Sequence, residues 1–126
     1  MEIRYASAPG DVKHYDTEKL RSEFLIEKLL VPGELRLVYS HVDRFIAGGA
    51  MPAASPVKLE ASAHDIGAEY FLQRREIGII NVGGPGSITV DGRKYAMNPR
   101  DCLYIGLGNR EVLFASDDAE SPAKFY

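Results

Sequence analysis

The chain lacks most of what marks a nucleophilic enzyme, a metal protein or a membrane protein. It has one cysteine in 126 residues, so no internal disulfide can form. That cysteine sits in the apolar run Cys102-Leu103-Tyr104-Ile105, where a buried, unreactive thiol is expected. The only histidines are His14, His41 and His64, and none has a partner at metal-ligand spacing. No stretch approaches the roughly 18 apolar residues of a membrane span. The opening Met1-Glu2-Ile3-Arg4-Tyr5 is not a basic-then-apolar leader, so a cytoplasmic location is expected. A formal net charge of −3 provides no basic surplus for a phosphate backbone, and nucleic acid is excluded as a partner. There is no Gly-x-Ser-x-Gly elbow. The run Gly83-Gly84-Pro85-Gly86 has no following lysine or helix start, so it reads as a turn and not a phosphate loop.

What is present is an ordinary globular pattern. A composition of 45% hydrophobic and 26% charged residues suits a soluble domain, and a chain of this size buries roughly two-thirds of its unfolded surface. Residues 1–15 mix small and polar side chains and read as a loose arm; residues 16–126 read as one domain. Asp16 or Thr17 is placed to cap a helix through Phe24, with Leu20 and Phe24 four apart on one face. After Pro32-Gly33 the pattern turns to β. Strands are expected at Leu35–Tyr39, Arg44–Ala47, Val57–Glu60, Tyr70–Leu72, Ile77–Val82, Ser87–Val90, Lys94–Met97, Cys102–Ile105 and Glu111–Ala115. Gly48 to Pro56 is expected to break the order, and Asp91-Gly92 signals a hairpin. Short strands with Gly-rich turns and one early helix predict an all-β jelly-roll sandwich.

Two polar groups carry the remaining chemical potential. In Ser40-His41-Val42-Asp43, strand alternation separates hydroxyl from imidazole and puts His41 and Asp43 on one face, where a structural hydrogen bond is the simplest reading. Arg74-Arg75-Glu76 is either a solvated edge with a weak ion pair or a fork for a carboxylate.

The spacing Glu76-x6-Gly83, followed by Ser87-Ile88-Thr89-Val90-Asp91-Gly92, resembles the first motif of a cupin, which opens with a His-x-His pair. The window Glu69-Tyr70-Phe71-Leu72-Gln73-Arg74-Arg75 contains no histidine. The second motif keeps its shape in Pro99-Arg100-Asp101-Cys102-Leu103-Tyr104-Ile105-Gly106, yet presents Gly108-Asn109-Arg110-Glu111 at the ligand position. Longer blocks narrow the resemblance: Val38-Tyr39-Ser40-His41-Val42-Asp43-Arg44, Tyr70-Phe71-Leu72-Gln73-Arg74-Arg75-Glu76, Ile80-Asn81-Val82-Gly83-Gly84 and Pro122-Ala123-Lys124-Phe125-Tyr126. With these the chain resembles the N-terminal half of the 5-keto-4-deoxyuronate isomerases, also called 4-deoxy-L-threo-5-hexosulose-uronate ketol-isomerases.

That resemblance implies a protein of about twice this length, built of two cupin-like halves and assembled as a homo-oligomer, usually a hexamer. It implies the breakdown of pectin-derived uronates in the cytoplasm, by moving a carbonyl along the sugar acid to give a 2,5-diketo-3-deoxy acid. The family's zinc lies in the C-terminal half, on three histidines and a glutamate, and none of these ligands maps here; this half is expected to bind no zinc and to scaffold its partner half. His41, Arg74 and Arg75 are the candidate contacts near an interface or substrate passage. Two alternatives stand beside it: a metal-free cupin that binds a sugar acid, and the related 5-deoxyglucuronate isomerase.

Overall fold

The computed structural model describes all 126 residues. Nine strands form: β1 Glu2–Arg4, β2 Leu35–Ser40, β3 Phe45–Ala50, β4 Val57–Lys58, β5 Ile77–Ile80, β6 Gly86–Val90, β7 Arg93–Met97, β8 Cys102–Ile105 and β9 Val112–Ser116. Three short helices accompany them: α1 Pro9–Val12, α2 Thr17–Phe24 and α3 Ala63–Ile66. Helix α2 is capped as its sequence dictates, with the Asp16 carboxylate accepting from the Lys19 amide at 2.8 Å. Its apolar residues find no core, however, and Leu20 and Phe24 both stay exposed. Polar contacts hold the helix to the first residues: Arg4 donates to the Leu25 carbonyl at 2.9 Å, and Ser7 to Glu23 at 3.2 Å.

The strands make a sandwich. One sheet has the order β4-β9-β6-β7, and two smaller pieces, β1-β2-β3 and β5-β8, face it. Three residues at the C-terminus join those pieces. Phe125 bridges antiparallel to Ala50 of β3 and to Asn81 just after β5. The Ala50–Phe125 and Ile80–Tyr126 pairs each exchange two backbone hydrogen bonds at 2.8–2.9 Å, and Val82 donates to the Lys124 carbonyl. The second layer is therefore β1-β2-β3, then Lys124–Tyr126, then β5-β8. Phe125 and Phe114 of β9 meet across the sandwich with ring centroids 5.3 Å apart, at the centre of a core that includes Leu37, Ile79 and Ile88. The end of the chain is thus the middle of a sheet, with Phe125 facing inward.

Several sequence expectations change on the structure. Residues 1–15 carry β1, which pairs parallel with β2 (Glu2 opposite Val38, Arg4 opposite Ser40), and α1. Strand β3 runs straight through Gly48 and Gly49 to Ala50 and does not break there. These glycines answer crowding: a Cβ on Gly48 would lie 2.8 Å from Leu37, and one on Gly49 would strike the backbone of Leu29. The Gly83–Gly86 run has the same cause and is not a turn requirement. None of its glycines has a positive φ, but a Cβ on Gly83 would sit 2.5 Å from the Lys124 nitrogen, and Gly84 abuts Ser121.

The expected strand Tyr70–Leu72 is a 3-10 turn, Phe71–Gln73. Phe71 and Leu72 are adjacent and both buried, and the Gln73 amide donates to the Tyr70 carbonyl at 3.2 Å, which closes the turn. The Asp91-Gly92 hairpin forms as expected, with φ of 44° and 84°, and the Asp91 carboxylate also accepts from the Glu111 amide at 2.8 Å. Cys102 is exposed. It pairs with Ile80 in register, and Ile80, Cys102 and Tyr104 all point away from the core on the outer face of β5-β8. DTNB should therefore label one thiol per native chain without denaturant. Labelling only after unfolding would return Cys102 to the core.

Candidate functional site

Strand β2 sets the site. Its alternation turns Leu35 and Leu37 inward; Tyr39 is next in that row, and His41 is the first residue of the turn that follows β2. The His41 amide donates to the Arg4 carbonyl at 2.8 Å. This places the imidazole between two tyrosines, 4.8 Å from Tyr5 and 4.6 Å from Tyr39, nearly parallel to both. No hydrogen bond joins His41 to Asp43: both lie in the β2–β3 turn, where strand alternation no longer applies. Stacking, not a hydrogen bond, fixes His41.

Arg75 reaches the same tyrosine. Its guanidinium carbon stands 5.8 Å from the Tyr39 ring centroid, within cation–π range. Its Nη2 donates to the Ile66 carbonyl at the end of α3 at 2.9 Å, while Nη1 is buried with no hydrogen-bond partner. Arg74, its neighbour, is exposed. The Glu76 carboxylate beside the Tyr104 hydroxyl raises the Tyr104 pKa above the usual phenol value. The structure therefore brings His41 and Arg75 together around Tyr39 and leaves Arg74 apart. The three residues Arg74, Arg75 and Glu76 do not form one fork. Tyr5 and Tyr39 are not legible as partners of His41 in the sequence alone: the parallel pairing of Ile3 with Tyr39 and Arg4 with Ser40 brings Tyr5 beside His41.

Replacing Arg75 with alanine should lower stability by about 1–3 kcal/mol, the worth of a charged hydrogen bond to a partly buried carbonyl. Urea unfolding measures it; an unchanged midpoint would show that the Ile66 contact is not maintained.

Beside this cluster a cavity of about 360 Å³ opens between β3 and β5. Leu37, Phe71 and Phe114 line it, and Arg44, Arg75 and Glu76 supply its charge. A larger groove, about 680 Å³, runs between α2 and β2 under exposed charged side chains and touches none of His41, Arg74 or Arg75. The residues present do not fit a zinc ion. No three histidine, cysteine, aspartate or glutamate side chains come close enough to hold a metal. His64 is 96% exposed beside Asp65, and the window expected to be the ligand-bearing strand is the 3-10 turn at Phe71–Gln73.

Over all 126 residues the chain is 55% identical to the 4-deoxy-L-threo-5-hexosulose-uronate ketol-isomerase of Halalkalibacterium halodurans, covering 45% of that protein. It is 56% identical over 125 residues to the enzyme of the same name from Formosa agariphila, covering 44% of it. The whole chain is homologous to the N-terminal half of these ketol-isomerases. It spans slightly less than half the length of the curated relatives it matches. No family model matches the chain. Among solved structures, the Clostridium difficile EutQ protein overlaps 62% of this chain and 49% of its own, at 17% identity and a TM-score of 0.41. A cupin protein from Bacteroides fragilis overlaps 62% of this chain and 59% of its own, at 20% identity and a TM-score of 0.40. The chain is an all-β sandwich with few helices, and none of those helices is long and apolar enough to cross a membrane.

Proposed function

We propose that this chain serves as the N-terminal half of a 4-deoxy-L-threo-5-hexosulose-uronate ketol-isomerase, acting in the cytoplasm on a uronate released from pectin. The reaction interconverts 5-keto-4-deoxyuronate and 3-deoxy-2,5-diketo-hexonate. This half shapes the C-terminal cupin domain and builds the homo-oligomer, read as a hexamer, and the zinc belongs to the other half. What supports the reading is 55% identity along the entire chain in a fold whose side chains offer no metal cluster. His41 and Arg75, joined through Tyr39, are the residues assigned to an interface or substrate passage; Arg74, exposed, is assigned to the outer rim of the same region.

The test is an isomerase assay with added zinc on three samples. They are this chain, the C-terminal half of the Halalkalibacterium halodurans relative, and the two halves fused in one polypeptide. Turnover by the fusion alone is the expected result. Turnover by the 126-residue chain would overturn it, since it would require a catalytic centre made from these residues.

A second reading, a metal-free cupin that holds a sugar acid, draws on Arg75 at one end of the apolar cavity. Calorimetry with a uronate separates the two, because the first reading expects no heat from this chain alone. The related 5-deoxyglucuronate isomerase is less favoured, as the matched relatives bear the ketol-isomerase name.

A further inference from the structure

The cavity between β3 and β5 has the shape of a missing strand. Most of its wall is two runs of consecutive residues, Arg44–Gly48 on one side and Arg75–Ile79 on the other, with Phe125 and Tyr126 also lining it. Phe125 stands opposite both Ala50 and Asn81, antiparallel to each. Each further residue of an extended chain would step back by one along both walls. The second position after Phe125 falls opposite Gly48 and Ile79, the fourth opposite Ile46 and Ile77, and the sixth opposite Arg44 and Arg75. All six of those residues line the cavity.

The backbone groups agree with this register. Ala50 spends its N–H and C=O on Phe125, and Ile80 spends its own on Tyr126. In an antiparallel ladder, alternate residues bond to the same side. The N–H and C=O groups of Gly48 and Ile46, and of Gly78 and Glu76, therefore turn toward the gap. None of these eight groups takes part in a hydrogen bond outside the paired strands. Two facing edges with unpaired donors and acceptors are a template for one more strand.

We infer that this gap is a strand slot, and that its occupant is the extended segment immediately following Tyr126 in a protein of the relatives' length. The inference rests on the proposed reading of the chain as a ketol-isomerase half. Phe125 and Tyr126 already hold the register from which such a strand continues, and the aligned part is the N-terminal half of the matched relatives. A peptide backbone meets both edges at once; a small sugar acid meets neither ladder. Phe125 points inward and Tyr126 outward. The first and third residues after Tyr126 therefore enter the apolar space beside Leu37 and Phe71, and apolar side chains are required there. The seam between the halves is then a continuous strand shared with this sandwich, not a free linker.

The experiment compares this chain with one extended by the six residues that follow the aligned region in the Halalkalibacterium halodurans relative. A third version carries prolines at the second and fourth added positions, where no N–H remains to bond β5. Amide exchange is followed by NMR at Ile46, Gly48, Glu76 and Gly78. The extension is expected to slow exchange at these amides by about tenfold or more and to raise the melting temperature, and the proline version is expected to do neither. Unchanged exchange in the extended chain overturns the slot. So does protection in the unextended chain that grows with protein concentration, which would give the slot to a second copy, or protection on adding a uronate, which would give the cavity to a small ligand. Because this readout is independent of turnover, a fusion that isomerises without protecting these amides sinks the slot and leaves the proposed function standing.

Discussion

Replacing Phe125 with alanine is expected to cost about 3–5 kcal/mol, the usual loss for a buried phenylalanine. Phe125 is among the largest fully buried side chains and its ring contacts Phe114 from the opposite layer. The deleted ring would leave a void between the two layers beside Phe114. A domain of this size has about 5–15 kcal/mol in total, so the variant should sit near the edge of folding at 25 °C. Phe125→Leu keeps most of the volume and should retain most of the stability. Chemical unfolding followed by circular dichroism decides the matter. If F125A and F125L unfold at the wild-type midpoint, the C-terminal residues do not join the two pieces of the sheet.

Asn81 to alanine should be equally severe, for a polar reason. The residue is fully buried, and its amide uses all its bonding capacity. Nδ2 donates to the carbonyls of Gly84 at 2.8 Å and Met97 at 2.9 Å. Oδ1 accepts from the amides of Gly83 at 3.1 Å and Lys124 at 3.2 Å. One side chain thus fastens the glycine run, the end of β7 and the C-terminal strand. Alanine leaves two donors and two acceptors unpaired in the interior, at about 1–3 kcal/mol for each one that water cannot reach; a net loss of about 3–6 kcal/mol is expected. Asn81→Asp should be at least as damaging, since a carboxylate would face two carbonyl oxygens with nothing to donate. Thermal melts of both variants test this. A small loss for N81A together with a large one for N81D would mean that water replaces the amide, and that charge alone is excluded.

The local parts of this fold were legible in the sequence, and the parts that depend on distant residues were not. Alternation located most strands to within a residue or two, because each has one face on the core. The Asp16 cap and the Asp91-Gly92 hairpin were legible because their geometry is complete within four residues. Strand β1 was not, since Glu2-Ile3-Arg4 has no pattern of its own and becomes a strand only by pairing with Val38–Ser40. Gly48 and Gly49 looked like a break because their cause, Leu37 on one side and Leu29 on the other, lies elsewhere in the chain. Cys102 looked buried because four apolar-looking residues in a row hide which face is covered. Nothing in the local sequence records that the outer face of β5-β8 is bare.

The site was legible as residue types and not as a constellation. His41 and Arg75 were visible candidates, but their shared contact, Tyr39, emerges only when β2 and the segment before β5 pack together. Arg74 and Arg75 looked equivalent. Arg74 follows the 3-10 turn directly and stays exposed, while Arg75 sends its guanidinium to the Ile66 carbonyl.

The placement of Lys124–Tyr126 has a consequence for biosynthesis. During translation, β1, β2, β3 and β5 emerge early, yet the strand that belongs between β3 and β5 is the last of these 126 residues to leave the ribosome. Until then the two half-sheets have facing, unsatisfied edges and an open core, a state prone to wrong pairing. The sandwich therefore cannot close progressively as it is made. It waits for Phe125, and in a protein of double length it closes while the following half is still being synthesised.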